Sequence, residues 1–402
     1  MNPSTRIRVL IVADDLTGAM DSAVPFASRG LRVKVIPSPE KQPSTVLEAE
    51  VIAIATNTRH SPPDEAAATV ERVARQALSY QPEIVIKKVD STLRGRIAEE
   101  CRAMSDALGK ESLIVCPAVP SQQRSVINGE IHLGEIPLRK TAFASDIRSP
   151  APAVPMEQLF QKQFGGWDIF SGKAAVAARG NQINHRQSII IFDARTDGDI
   201  RAVINNRRSQ LEGDLLIGAS GLTEAVAQVL LGSVRPGNKG DVSSAGKFLF
   251  VLGSAALETA RQLDTLSKNH AVSLHELTDA EPLNATTAAS LDVKSTIFVL
   301  KAPDREQSGQ LDSGAVLYAL AISAAHLISR FNISNMLLTG GDTCEATLAQ
   351  LSVEAVTVQG EIQPGTVYGN AETAEGKINL VTKAGGFGQP DLFLDVLHFF
   401  NF

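Results

Sequence analysis

Arg8-Val-Leu-Ile-Val-Ala-Asp-Asp-Leu-Thr-Gly-Ala19 sets how the rest of the chain is read. The run Arg8–Ala13 is almost wholly apolar, as suits a strand covered on both faces, and two adjacent acids followed by Thr-Gly end it at once. The pattern returns at Val51–Thr56, Ile84–Val89, Leu113–Cys116 and Ser188–Asp193, with helical periodicity between, as in Glu65–Leu78 and Ile97–Leu108. Buried strands alternating with helices predict parallel crossovers and an α/β fold.

Downstream, Gly232–Gly246 (GSVRPGNKGDVSSAG) reads as a linker rich in Gly, Ser and charge. A fresh strand follows at Lys247–Leu252, then a helix from Leu257. Strand-like runs Thr296–Lys301 and Met336–Leu338 flank a long helix, Gly314–Phe331. The 402 residues suit two domains, expected at residues 1–235 and 246–402, each a largely parallel sheet flanked by helices. The Pro- and Gly-rich span Ser121–Gly180 has no clear period and is read as a long excursion over the sheet.

Composition excludes several functions. With 44% hydrophobic and 20% charged residues the chain is an ordered globular protein. A net charge of −6 and only 5% aromatic residues argue against a nucleic-acid surface. Cys101, Cys116 and Cys344 are odd in number and lack metal spacing, so reduced thiols are expected. Asp14 and Asp15 interrupt the first apolar run too early for a signal peptide. The longest apolar window, Val316–Ile328, contains Ser323 and His326 and is read as a buried helix too short to span a bilayer. A soluble, cytoplasmic chain without a membrane partner is expected, and the sequence allows a homo-oligomer without specifying one. P-loop, G-x-G-x-x-G and H-E-x-x-H patterns are absent, and Gly218-Ala-Ser-Gly221 is one residue short of a nucleophile elbow.

Chemistry is expected where strands end, since open α/β sheets bind ligands there. Asp14 and Asp15 follow the first strand, where paired carboxylates bind or activate substrate hydroxyls, hold Mg²⁺, or merely cap a helix. Lys87-Lys88-Val89-Asp90-Ser91-Thr92-Leu93-Arg94-Gly95-Arg96 puts cations and hydroxyls at a helix start, a pattern that suits an anion. Arginines in a first turn oppose the helix dipole unless an anion is near. Arg59 adds a cation at the same sheet edge. In the second half, Gly253-Ser254, Thr339-Gly340-Gly341-Asp342-Thr343 and Lys383-Ala384-Gly385-Gly386-Phe387-Gly388 each follow a strand and precede a helix. Three glycine turns that let a backbone approach phosphate exceed what turn chemistry alone calls for. An acid-sugar site in one domain and a nucleotide site in the other would make a phosphotransferase.

The chain resembles the four-carbon acid sugar kinases nearly end to end. The resemblance is carried by Ala13–Ala19 (ADDLTGA), Lys87–Gly95 (KKVDSTLRG), Pro117–Pro120 with Arg124, Thr141–Pro150 with Asp146, Gly340–Thr343 (GGDT) and Lys383–Gly388 (KAGGFG). It implies an N-terminal substrate domain, a C-terminal nucleotide domain, and Mg-ATP-dependent phosphorylation of D-threonate, D-erythronate or a 3-oxo-tetronate at the 4-hydroxyl. It further implies that the acid sugar contacts Asp14 or Asp15, Arg59, Lys87, Lys88, Val89, Asp90 and Ser91, and that ATP contacts Ser254, Gly340, Gly341, Asp342, Thr343 and Gly386. Arg94 joins the substrate set through its place in the same turn. The sequence singles out neither a catalytic base between the two aspartates nor a metal ligand. One departure is Ala256, where the family often carries a second serine after the Gly-Ser turn. The competing readings are a binding or sensor protein without turnover, and a kinase of a longer sugar acid.

Overall fold

The computed structural model describes residues 7–40, 48–145, 150–172, 187–234, 246–283, 294–303 and 311–402. Asp146 and most of the expected linker lie outside these. The chain divides into two compact units, Met1–Val35 with Ser44–Pro236, and Ile36–Pro43 with Gly237–Phe402.

The first unit runs β1 (Val9–Ala13), α1 (Leu16–Ala27), β2 (Val33–Ile36), β3 (Val51–Ala55), α2 (Pro63–Ala77), β4 (Ile84–Lys88), α3 (Ile97–Leu108) and β5 (Ser112–Cys116). Next come the short strands β6 (Arg124–Ile127), β7 (Glu130–Leu133) and β8 (Ile136–Pro137), then α4 (Met156–Gln161), β9 (Asp168–Ser171), β10 (Ser188–Ile191), α5 (Asp197–Asn206), β11 (Asp214–Gly218) and α6 (Ser220–Leu231). The main sheet has the order β2-β3-β1-β4-β11-β5-β10-β9 and is parallel from β3 to β9. Every residue of β1, β3, β4 and β11 is buried, as expected of strands covered by helices on both faces. Helix α2 shows how the cover forms, burying Ala66, Val70, Val73, Ala74 and Ala77 along one stripe. Part of the excursion after residue 121 folds as a small antiparallel sheet, β6-β7-β8.

The second unit runs β12 (Lys247–Leu252), α7 (Leu257–Asn269), β13 (Ser273–Glu276), β14 (Ile297–Lys301), α8 (Ser313–Phe331), β15 (Ile333–Thr339), α9 (Gly341–Gln350), β16 (Val356–Gln363), β17 (Thr366–Thr373), β18 (Gly376–Lys383) and α10 (Leu392–Phe399). Its strand order is β13-β14-β12-β15-β18-β17-β16, parallel as far as β18 and antiparallel beyond. Phe248 and Phe250 stack with ring centroids 4.7 Å apart and anchor a core that takes in Leu392, Phe393, Val396 and Phe400 of the last turns. At 19 residues and a mean hydropathy of 1.4, α8 is long and apolar enough to cross a membrane, which corrects the sequence expectation. Here it buries Ala319, Leu320, Ser323, Ala324, Leu327 and Ile328 within the unit, the pattern of a core helix.

Candidate functional site

In the first unit the chain leaves β1 for β2 and β3 on one side and then crosses to β4 on the other. The turns after β1 and β4 therefore sit at the switch point of the sheet. Ala13 pairs with Ala55 in β3 and with Lys88 in β4, which sets the three following turns side by side. Thr56 N–H donates to the Ala13 carbonyl at 2.8 Å and Arg59 N–H to that of Asp14 at 3.3 Å.

One guanidinium holds the carboxylates together. Arg59 Nε donates to Asp14 Oδ2 at 2.7 Å and Nη2 to Asp14 Oδ1 at 3.0 Å, while Nη1 reaches Asp15 Oδ2 at 3.0 Å. Asp90 Oδ1 lies 3.9 Å from the same group. Burial works against the charge of Arg59, yet the three acids raise its pKa well above the ordinary value. Burial likewise opposes ionisation of Asp15, but Arg59 and Lys88 outweigh it and hold the carboxyl below its usual range.

The two aspartates have different duties. Asp15 is the N-cap of α1: it accepts from Gly18 N–H at 3.0 Å and the Thr17 hydroxyl at 2.7 Å, and its two oxygens also take the Arg59 fork. All four of its lone-pair positions are occupied. Asp14 carries Arg59 alone among these donors and keeps lone pairs for a ligand, although it is the less exposed of the two, at 4% against 18% of the side chain.

The turn after β4 is organised by Asp90, which accepts from Thr92 N–H at 3.1 Å, Arg94 Nε at 2.9 Å and Arg94 Nη2 at 3.0 Å, and from the Thr92 hydroxyl. Despite burial, Arg59 and Arg94 push its pKa far below the carboxylate range. Leu93 and Gly95 are left-handed, at φ 57° and 102°, so α3 begins only at Ile97. Arg94 and Arg96 thus precede the helix, and the expectation that they stand in its first turn is corrected. Arg96 Nε instead donates to the Ser61 carbonyl at 2.9 Å.

Adjacent strand residues point to opposite faces, so Lys87 and Lys88 part company. Lys87 is fully buried and its ammonium meets Glu100 of α3 at 2.7 Å. Glu100 and Asp14 raise its pKa against the cost of burial. Lys87 therefore braces the strand end with its charge paired to Glu100. Lys88 turns the other way, toward Asp15 and Asp21 of α1. The Val89 side chain is buried, and its N–H is committed to the Gly218 carbonyl at 2.9 Å. Ser91 Oγ accepts from Arg124. Asp21, Glu100 and Arg124 were not singled out as site residues; Asp21 was legible as the one acid in the otherwise small and apolar helix α1.

The second unit has a different kind of strand edge. Leu252, Thr339 and Lys383 lie in one register line across β12, β15 and β18, so Gly253-Ser254, Gly340-Gly341 and Ala384–Gly386 emerge abreast. Gly340 N–H donates to the Lys383 carbonyl at 3.0 Å, and at φ 94° it takes a conformation that suits glycine. A side chain on Gly253 would strike the Thr343 hydroxyl, and one on Gly385 would strike Ser254 Oγ, so these two glycines let the turns pack on each other. Gly386 is different: a Cβ there meets nothing within 4 Å. The start of α9 has no side-chain cap, which leaves the first-turn N–H groups for a ligand. Ala256, in place of the family's second serine, gives its N–H to Ser254 Oγ at 3.2 Å. Lys383, 1% exposed, sets its ammonium 3.1 Å from the Gly385 carbonyl and 3.4 Å from Thr259 Oγ1; burial lowers its pKa to about 8. All three cysteines are buried and outside any disulfide, and burial pushes the Cys116 thiol up to about 12, as suits inert core thiols.

A side-chain cluster on one unit and a backbone cradle on the other mark a protein that handles a small polar molecule and a phosphorylated one. Residues 9–226 match the sugar-binding N-terminal domain and residues 249–393 the nucleotide-binding C-terminal domain, and the chain belongs to the four-carbon acid sugar kinase family. It is 26% identical to a D-threonate kinase of Salmonella typhimurium, with 98% of each chain covered. It is 28% identical to a D-erythronate kinase of Heliobacterium modesticaldum, over 95% of this chain and 94% of that one. A 3-oxo-tetronate kinase of Actinobacillus succinogenes is 26% identical over 95% and 97%. The fold is shared with a solved Salmonella typhimurium protein at a TM-score of 0.79 and 20% identity, covering 97% and 98%.

Proposed function

We propose that this chain is an ATP-dependent kinase of a four-carbon sugar acid, with the acid held by the first unit and the nucleotide by the second. The convergence of Asp14, Asp15 and Asp90 on Arg59 at the switch point carries this reading, because it builds a rigid polar frame for a small polyol within a unit of sugar-binding type. Asp14 is assigned as the acceptor of the proton from the attacking hydroxyl, since Asp15 is saturated by its cap and by Arg59. Arg94, Lys88 and Ser91 border the same turn. Lys87 and Val89 act from behind it.

On the second unit, Ser254, Gly340, Gly341, Asp342, Thr343 and Gly386 are assigned to ATP. The empty direction above Gly386 and the uncapped start of α9 suit phosphate oxygens. Among the described residues no three His, Cys, Asp or Glu side chains cluster as metal ligands. Asp342, in the first turn of α9, offers one carboxylate beside the cradle, which fits Mg²⁺ arriving on the nucleotide's phosphates and keeping its waters. Bound there, Mg²⁺ would neutralise charge on the phosphates. The proposed setting is the cytoplasm.

The test is ADP release from Mg-ATP with D-threonate, D-erythronate, 3-oxo-tetronates and C5–C6 sugar acids. Release with at least one C4 acid, and a 4-phospho product, is the expected result. Ligand-induced melting shifts without ADP release would make the chain a sensor. Release only with C5–C6 acids would make it a kinase of longer chains.

A further inference from the structure

Most cations around the first unit's site are already matched by acids: Arg59 by Asp14 and Asp15, Arg94 by Asp90 and Lys87 by Glu100, with Lys88 placed between Asp15 and Asp21. Arg124 is the exception. It stands at the start of β6 and reaches the turn after β4, where Nη1 donates to Ser91 Oγ and Gln122 Oε1, both neutral acceptors. Its Nε is buried and has no hydrogen-bond partner. The Phe143 ring lies 5.8 Å from the guanidinium carbon and covers it from one side. Among the described residues no carboxylate forms an ion pair with Arg124. Burial lowers its pKa, Asp90 opposes this only in part, and Arg94 adds repulsion. A half-buried guanidinium with an orphaned N–H and no carboxylate in ion-pair contact is costly as it stands, and the cost is relieved when a planar anion supplies both acceptors. A carboxylate matches that fork, whereas a hydroxyl answers only one of its bonds.

We propose that Arg124, supported by Ser91 and Gln122, recognises the carboxylate of the sugar acid and so separates acids from the corresponding neutral polyols. The inference deepens the proposed acid-sugar reading and rests on it. It places the carboxylate on Arg124 and not on Arg94 or Arg59, whose charges are matched within the fold.

Calorimetric binding tests the proposal independently of turnover. The wild-type chain and the Arg124→Lys, Arg124→Gln and Arg124→Ala variants are titrated with D-threonate, D-erythronate and C5–C6 sugar acids, and with threitol and erythritol. The wild type should favour acids over tetritols. Arg124→Gln and Arg124→Ala should lose about 10- to 100-fold in affinity for the acid while tetritol binding stays within about twofold. Arg124→Lys should recover part of the loss, because it restores charge without the fork. The ADP-induced melting shift of each variant reports that the chain is folded. Wild-type acid affinity in Arg124→Ala would overturn the proposal, as would equal losses for acids and tetritols, or a wild type that binds no acid. Acid binding that depends on Arg124 in a chain that releases no ADP would leave this inference standing and remove the kinase reading alone.

Discussion

At the C-terminal ends of β1 and β4 the first unit gathers Asp14, Asp15, Asp90, Arg59 and Arg94, whereas at the ends of β12, β15 and β18 the second unit gathers glycines, two hydroxyls and helix N–H groups. Both sites use the same feature of parallel sheets, turns that emerge abreast, but they fill it with opposite materials. The charged frame carries heavy desolvation, offset because each acid meets a guanidinium, and in return its oxygens are fixed in position. Fixed side-chain oxygens can tell one hydroxyl configuration from another. As the proposed nucleotide site, the glycine cradle would need no such discrimination, since every nucleoside triphosphate presents the same phosphates to backbone amides. The lesson is that specificity for the acceptor should reside in side chains and affinity for the donor in main chain.

The largest effect expected from breaking the charged frame falls on Asp14. Asp14→Asn keeps the shape of the side chain but removes the proton acceptor and one charge of the buried Arg59 pair, so kcat should fall by about 10²–10⁴ and the melting temperature should fall with it. Asp15→Ala should act mainly on stability, removing the cap of α1, which is worth about 1 kcal/mol, while sparing more of kcat. Steady-state kinetics alongside thermal melts decide it. Full turnover in folded Asp14→Asn, or collapse of kcat in Asp15→Ala without loss of stability, would reverse the two assignments.

The division between side chains and main chain is sharpened by a crossed pair of variants. Saturation with ADP at a hundredfold excess over Kd stabilises a folded protein by about 2.7 kcal/mol. Gly386→Val points a side chain into open space without steric conflict inside the fold, so it should melt like the wild type and lose most of that ADP shift. It should keep the shift caused by the sugar acid. Arg94→Ala strips two hydrogen bonds from Asp90 and should lose the sugar-acid shift while keeping that of ADP. A full ADP shift in Gly386→Val would show that nothing binds in the space above that turn.

The strands with long apolar runs were legible because burial on both faces writes itself into sequence: β1, β3, β4, β5, β10, β12 and β14 all lie in stretches read that way. β11, Asp214–Gly218, was not read as a strand, yet it supplies the Gly218 carbonyl that takes Val89 N–H. The small sheet β6-β7-β8 was missed because strands of two to four residues leave no period to detect. At the site, residue types were legible and their partnerships were not. Arg59 meets Asp14 because β3 pairs with β1, a fact of topology. The parting of Lys87 and Lys88, by contrast, follows from the two-residue period of a strand and could have been read in advance. Arg124 was visible only as part of a resemblance, because its meaning depends on having no acid partner in three dimensions.

The smallest expected effect contrasts the two units by pH. In the first unit Arg59 and Lys87 face acids and their pKa values are raised; Lys383 of the second donates to neutral oxygens, and burial outweighs the charge of Glu258 and lowers its pKa to about 8. The sign follows from proton counting. Between pH 8 and the ordinary lysine value near 10.5, the unfolded chain binds a proton at this position that the folded chain has released, so stability rises with pH across that window. From pH 7.5 to 9 the wild type should gain about 1 kcal/mol relative to Lys383→Met, read as the difference between their urea unfolding curves at each pH. Carboxylates of the first unit act at the other end of the scale. Asp15 and Asp90 are lowered in the fold, so their contribution is present above the unfolded value and is lost as pH falls through the folded one. Lys383→Met should therefore leave the acid limb of the stability profile unchanged and flatten only the alkaline rise. A difference between wild type and Lys383→Met that stays constant from pH 7.5 to 9 would mean that Lys383 titrates normally, and the backbone cradle would then have no pH dependence of its own.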